Sequence, residues 1–248
     1  MFTRTRLHVL VLLIVGLMAL PLSLAGDREW SKMRKQMIVE IEQDMFYARR
    51  HIGKETLSAS VLAAVESVER HKFVPVGLQD RAYGNHPLPI GNGQTISQPF
   101  IVALMTDLLE VGKTAKVLEV GTGSGYQAAV LAELVAEVFT IEIVGQLARE
   151  ARILLAELGY NNIQIRHGDG MLGWPVEAPF DGIIVTAAGL EISETLLNQL
   201  VPGGRLVMPV GAQNEVQQLK VITRNSDRSV DERDVLPVRF VPITKKKR

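Results

Sequence analysis

Between residues 116 and 210 the chain alternates short apolar runs with longer amphipathic ones, and this limits the folds open to it. The strand-like runs are 116–120, 138–142, 163–167, 180–186 and 205–210, and the helix-like runs are 124–135, 145–158 and 192–200. Short apolar runs bounded by glycines and polar turns suit strands buried on both faces. Such strands run parallel when a helix makes each crossover. The alternation predicts an α/β fold: a doubly wound, mostly parallel sheet with helices on both faces. Beyond Gly211 the helices stop, and 216–224 and 235–241 read as two more strands, an antiparallel, β-rich end.

The region before residue 116 has a different texture. After Gly26, Trp30, Met33, Met37, Ile41 and Met45 recur every three to four positions, which predicts an amphipathic helix ending near Gly53. Further helices are expected at 56–69 and 99–109. Between them, 70–100 is rich in Pro and Gly and too irregular for a long helix or strand. Loops of this length are usually functional or disordered, and the embedded aromatic and apolar residues argue against disorder.

The chain's 248 residues suffice for one domain with a sizeable core. Lys+Arg and Asp+Glu are 27 each, so no net charge draws the protein to nucleic acid, and none is expected as a partner. A basic cluster at 245–248 reads as a solvated tail. There is no cysteine, which excludes disulfides, thiol nucleophiles and thiolate metal sites. The five histidines lack ligand-type spacing, so no metal is expected.

At the N-terminus, Arg4 and Arg6 precede an apolar run from Val9 to Leu20, then Ser23, Leu24 and Ala25. A positive start, an apolar stretch and a small-x-Ala end form an export signal. Residues 1–25 are read as a cleaved leader, or as a membrane anchor if uncleaved. Both put the body of the protein outside the cytoplasm, in the periplasm or beyond. The remainder divides into N-terminal helices with an irregular loop (26–110) and an α/β core (111–248), together one compact unit.

The motif that carries chemistry is VLEVGTGSGY, 117–126. A strand, three alternating glycines (Gly121, Gly123, Gly125) and a helix bring backbone close to a ligand at the carboxyl ends of the strands. No Gly-Lys-Ser/Thr follows, so this is not a Walker loop. The dinucleotide fingerprint spaces its glycines differently, as G-x-G-x-x-G. Glu142 closes the second strand, where a carboxylate can accept hydrogen bonds from ribose hydroxyls. Asp169, between Gly168 and Gly170 after the third strand, can accept from the exocyclic amine of adenine. A nucleoside is favoured, with pyrophosphate neither required nor excluded. Plainer roles stand beside these. Glu142 can start the following helix, Asp169 can be a turn residue, and Ser97 can cap the helix opening at Pro99. His167 and Trp174 read as packing residues.

The sequence resembles a known family at several points. VLEVGTGSGYQAAVLA, IEI and RHGDG are similar to the S-adenosylmethionine-binding motifs of class I methyltransferases. HKFVP, LPIGNGQTISQP, HGDGMLGWPVEAPFDGIIVTAA and VRFVPI together resemble the protein-L-isoaspartate O-methyltransferase family, over roughly residues 55–242. The resemblance implies a Rossmann-like sheet and S-adenosyl-L-methionine as cofactor. The glycines and Gly168 would hold the cofactor, Glu142 its ribose and Asp169 its adenine. Ser97 matches the family's active-site residue, with Thr95 and Ile96 beside it. Arg239, Phe240 and Val241 would shape a peptide cleft. The chain departs from the family at Asn85, where an acid is frequent, and at Gly189 and Ser193, where prolines are usual. Its leader is also unusual in a family that is typically cytoplasmic, and the cytoplasm is the alternative location that the resemblance implies.

The implied function is methylation of the isoaspartyl carboxylate in age-damaged proteins and peptides, by a monomer that initiates their repair. Flexible segments of broad sequence would be the substrates. A small-molecule methyltransferase or a non-catalytic nucleotide-binding module are the alternatives.

Overall fold

The computed structural model describes residues 5–213 and 215–244, with side chains described from Arg28 onward. The basic cluster at 245–248 lies outside the described residues. Seven strands form one sheet: β3 (Lys116–Val120), β4 (Glu137–Glu142), β5 (Ile163–His167), β6 (Phe180–Val185), β7 (Leu200–Val210), β8 (Gln217–Arg224) and β9 (Val230–Val238). Their order is β5-β4-β3-β6-β7-β8-β9. The five strands from β3 to β7 pair in parallel. β8 and β9 then add antiparallel, as the loss of helices after Gly211 predicts.

Alternate strand residues serve two cores. Val117, Val138, Ile184 and Val207 point to one, and Leu118, Phe139, Ile183 and Leu206 to the other. On the first face lie α1 (Thr5–Ile52), α2 (Ala59–Ser67), α3 (Pro99–Leu108) and α4 (Tyr126–Ala132), joined by Leu155 of α5 (Gly145–Glu157). The second face is covered by α6 (Glu194–Leu197), Met171 and Trp174. α3 is apolar almost all round, as a fully buried helix must be, and Pro99 at its start needs no hydrogen-bond partner for its nitrogen.

α1 begins before the break expected at Gly26 and runs through it. Its periodic stripe is buried as predicted: Met37, Ile41 and Met45 are in the core, with Trp30 and Met33 half-buried against it. Trp30 stacks on His71 at 4.4 Å, and His71 Nδ1 is 2.6 Å from the Tyr83 hydroxyl, so aromatic contacts fasten the helix to the irregular segment. Among the residues whose side chains are described, from Arg28 onward, no helix is long and apolar enough to cross a membrane; the leader or anchor read at 1–25 lies outside them.

The irregular segment 70–100 is ordered by two short 3-10 turns and a small hairpin, β1 (Leu88–Gly91) with β2 (Gln94–Ile96), which the sequence reading missed. Other expected boundaries move as well, and three of these shifts have a clear cause. α6 is a single turn because β7 starts at Leu200, where it pairs with Phe180. β7 accordingly begins five residues before the expected Arg205. β9 lies earlier than 235–241 because Asp231, Glu232 and Asp234 carry no apolar alternation. Lys220 on β8 instead pairs with Glu232 and Asp234 across the ladder.

Candidate active site

The chain runs outward from β3 through β4 to β5, then returns to β6 on the other side of β3. The switch point therefore lies between the carboxyl ends of β3 and β6, where a doubly wound sheet opens a crevice. Gly121 and Thr186 meet there. The Thr186 hydroxyl donates to the Gly121 carbonyl at 2.7 Å, and its backbone N–H donates to Val120 at 2.9 Å. Gly121 has φ +103°, and a Cβ on it would stand 2.4 Å from the Thr186 hydroxyl oxygen. Both the backbone angle and the close approach require glycine here.

One cleft at this point is lined by Gly121, Gly123, Glu142, Ile143, Asp169 and Met171, among others. The sequence thus brings together the loop and both acids. Glu142 is buried; one carboxylate oxygen accepts the Gly123 N–H and the other the Val144 N–H, each at 2.8 Å. Val144 caps α5, so the plainer helix-starting role is present as well. Each oxygen keeps a second lone pair for a ligand. Asp169 accepts the Met171 N–H at 2.9 Å and caps the turn 170–172, so it too has its turn role. Gly125 and Gly168 do not line this cleft. Gly125 lets Leu155 of α5 pack against the start of α4. Gly168 donates its N–H to the Glu142 carbonyl at 2.9 Å, and fixes that strand end. Gly170, passed over in the sequence, does line the cleft, and a Cβ on it would stand 2.4 Å from Val120 Cγ1.

Beneath the loop, Glu119 is fully buried. Burial pushes its carboxyl up to about 8, against the Thr140 hydroxyl, which donates to it and pulls the other way; the nearby Glu142 charge adds a smaller upward push. Thr140 also meets the Thr122 hydroxyl at 2.6 Å. The other Glu119 oxygen has no partner among the described residues. A neutral carboxylic acid is the form this pocket favours.

A larger cavity of about 500 Å³ adjoins the cleft. It is lined by Thr95, Ser97, Arg239, Phe240 and Val241 together with Asp44 and Thr186. Ile96 lines a smaller recess between the two, with Ser97, Gly121 and Gly123. Thr95 and Thr186 line all three spaces. The hydroxyl of Ser97 makes no hydrogen bond among the described residues, and the cap of α3 is Gln98 rather than Ser97. The helix-capping role expected for Ser97 is therefore absent.

Two residues that sequence reasoning missed hold the walls. Arg70, fully buried, donates Nη2 to the Ser97 carbonyl at 2.7 Å and Nε to the Ala82 carbonyl at 2.8 Å. Its guanidinium lies 4.7 Å from the Tyr126 ring centre. Burial lowers its pKa to about 10, so it remains a cation at neutral pH. Gln217, also buried, brackets Phe240 by accepting its N–H at 2.6 Å and donating to its carbonyl at 3.3 Å. Ala188 ties the next residues down: it donates to the Val241 carbonyl at 2.8 Å and accepts the Ile243 N–H at 2.9 Å.

The departures from the family pattern have local reasons. Asn85 donates to Asp44 at 2.9 Å and accepts the Phe100 N–H at 3.0 Å, so an acid there would face a second acid. Gly189 donates its N–H to Pro209, which a proline could not do. Ser193 caps α6 by accepting the Leu196 N–H. His167 is exposed and its ring meets the Ile143 carbonyl; Trp174 packs edge-on against Phe139 at 5.4 Å.

A glycine loop at the switch point, with acids at the next two strand ends and antiparallel strands closing the sheet, defines the chain as a class I, Rossmann-like methyltransferase fold. The sequence model of the family described as "Protein-L-isoaspartate(D-aspartate) O-methyltransferase (PCMT)" matches residues 40–248, and the chain belongs to that family. It is 50% identical over 235 residues to protein-L-isoaspartate O-methyltransferase 2 of Syntrophobacter fumaroxidans, covering 95% of each chain. To protein-L-isoaspartate O-methyltransferase 2 of Polaromonas it is 54% identical over 208 residues, covering 84% of this chain and 99% of the relative. Among solved structures, a protein-L-isoaspartate O-methyltransferase superposes with a TM-score of 0.74 at 25% identity, covering 86% of this chain and 66% of that one. A Plasmodium falciparum protein described as a putative member, in complex with S-adenosyl-L-homocysteine, gives 0.67 at 23% identity, covering 84% and 98%.

Proposed function

We propose that this chain transfers the methyl group of S-adenosylmethionine to the free carboxylate of L-isoaspartyl residues in damaged proteins and peptides, which starts their repair. Beside family membership, one observation supports the reading most. The cleft beside Glu142 and the cavity beside Ser97 share Thr95 and Thr186, so two ligands bound in them would meet at those residues.

The residues present fit the cofactor. Gly121 and Gly170 leave backbone bare at the cleft, Glu142 keeps lone pairs that would suit ribose hydroxyls, and Asp169 lines the same cleft with a carboxylate that would accept from an adenine amine. Ile143 and Met171 offer apolar walls for the base. When bound, S-adenosylmethionine supplies a methyl group already activated on a sulfonium. The acceptor carboxylate is ionised at neutral pH, with a pKa of about 3–4, so no general base is needed. The free Ser97 hydroxyl donates to one of its oxygens and turns the other toward the cleft. Arg70 holds Ser97 in place from below. Catalysis is then a matter of alignment. The methyl ester later loses methanol as the neighbouring amide nitrogen closes a succinimide, which water opens partly to normal aspartate. Labelled methyl groups should appear on isoaspartyl peptides as base-labile esters; base-stable label would point to the small-molecule or nitrogen-directed alternatives.

Residues 1–25 serve in this reading as an export leader, 26–110 as the substrate-side layer and 111–248 as the cofactor core, acting as a monomer outside the cytoplasm. N-terminal sequencing of protein from fractionated cells tests the leader, since an intact Met1 in the cytoplasmic fraction contradicts it.

A further inference from the structure

We infer that Asp44 reads the charge of the residues beside the isoaspartyl site, favouring basic neighbours and disfavouring acidic ones. This rests on the reading that the 500 Å³ cavity receives an isoaspartyl peptide. Asp44 and Arg239 are the two charged residues among those lining that cavity. An anionic substrate has an evident use for Arg239, which is exposed and forms no ion pair among the described residues. Asp44 needs a different explanation, because a carboxylate on the wall repels the group to be methylated.

Asp44 is held firmly in that position. Asn85 and Gln98 both donate to its Oδ2, at 2.9 and 3.1 Å. Both donors are neutral amides, so they fix the carboxylate without cancelling its charge. Its Oδ1 has no partner among the described residues, and no Lys or Arg pairs with it. Asn85 stands where family members frequently carry an acid; an acid could not make the donation to Asp44. Gln98, the other donor, directly follows Ser97, so the fixed charge is hydrogen-bonded to the residue next to the hydroxyl that would receive the isoaspartyl carboxylate. Asp44 comes from α1, which gives the N-terminal helix a part in substrate choice.

A fixed, half-buried charge on the wall of an open cavity interacts with a mobile one across several ångströms, which is worth about three- to tenfold in specificity at low salt. Salt should erode the effect. Full-length protein is assayed with isoaspartyl peptides that differ in one flanking residue, Lys, Gln or Glu. The readout is the ratio of kcat/KM for the Lys peptide to that for the Glu peptide. The ratio should exceed one in the wild type, fall about three- to tenfold in Asp44→Asn, and invert in Asp44→Lys. If a variant fails to fold, the wild-type ratio alone decides: it should collapse toward one at high salt. A ratio unchanged by both substitution and salt overturns the role of Asp44 while leaving isoaspartyl methylation intact. No methylation of any isoaspartyl peptide overturns both.

Discussion

The carboxylate of Glu142 accepts the backbone N–H of Gly123 at 2.8 Å, and so ties the end of β4 to the glycine loop that follows β3. The same side chain that would hold a ribose thus also sets the loop that passes beside it. Glu142→Ala should weaken S-adenosylhomocysteine binding tenfold or more, because a hydrogen bond to a charged group is worth about 1.5–3 kcal/mol. It should also lower stability, since the N–H groups of Gly123 and Val144 lose their acceptor. Calorimetry on the folded variant checks the first effect, and unchanged affinity would remove Glu142 from the cofactor site.

Ser97→Ala separates the two spaces. Ser97 lines the larger cavity, and its hydroxyl makes no hydrogen bond among the described residues. The peptide kcat/KM should fall about ten- to a hundredfold, matching one hydrogen bond to a carboxylate. Affinity for S-adenosylhomocysteine should stay within twofold. Loss of cofactor binding with full turnover at saturation would place Ser97 in the wrong site.

Arg70 supports Ser97 from the core. Arg70→Met leaves the carbonyls of Ser97 and Ala82 buried without a donor, at about 1–3 kcal/mol each. Denaturant unfolding should show that loss. In the protein that remains folded, peptide kcat/KM should drop while cofactor affinity holds, and Arg70→Lys should restore part of the activity by donating to Ser97 alone. Full activity in the Met variant would make Arg70 purely structural.

Glu119 makes stability depend on pH. Its folded pKa is raised from 4.5 to about 8, so the native state binds more protons than the unfolded state between those values. Its contribution is therefore fully present below 4.5 and declines as pH rises to about 8. Glu119→Gln keeps an acceptor for Thr140 but cannot ionise. Chemical denaturation from pH 5 to 8 should show a shallower fall for the variant than for the wild type. Parallel curves would mean that Glu119 is ionised in the native protein.

The inner strands were legible because they are buried on both faces, so an apolar run marks 116–120 almost residue by residue, whereas the edge strand 163–167 has no fully buried residue and is marked only by Ile163 and Ile165 alternating with Gln164 and Arg166. The edge strand β9 was misplaced because exposed Asp231, Glu232 and Asp234 leave no apolar pattern, and pairing with Lys220 supports them instead. In the site, the glycines, Glu142 and Asp169 could be read because they follow strand ends in order. Arg70, Asp44 and Gln217 could not, since each acts on residues 27, 54 or 23 positions away along the chain. Thr186 was visible as a strand end, but only the meeting of β3 and β6 shows that it stands between the two cavities.

The central claim is that one carboxylate, that of the isoaspartyl residue, is placed in line for methylation. The most direct measurement compares methyl transfer from S-adenosylmethionine to flexible isoaspartyl peptides and to their aspartyl twins of identical sequence. The isoaspartyl peptides should be methylated across varied flanks, modulated by charge, and the twins left unmodified because their carboxylate does not reach the methyl group. Comparable methylation of the twins, or activity confined to a single flanking sequence, would contradict the account.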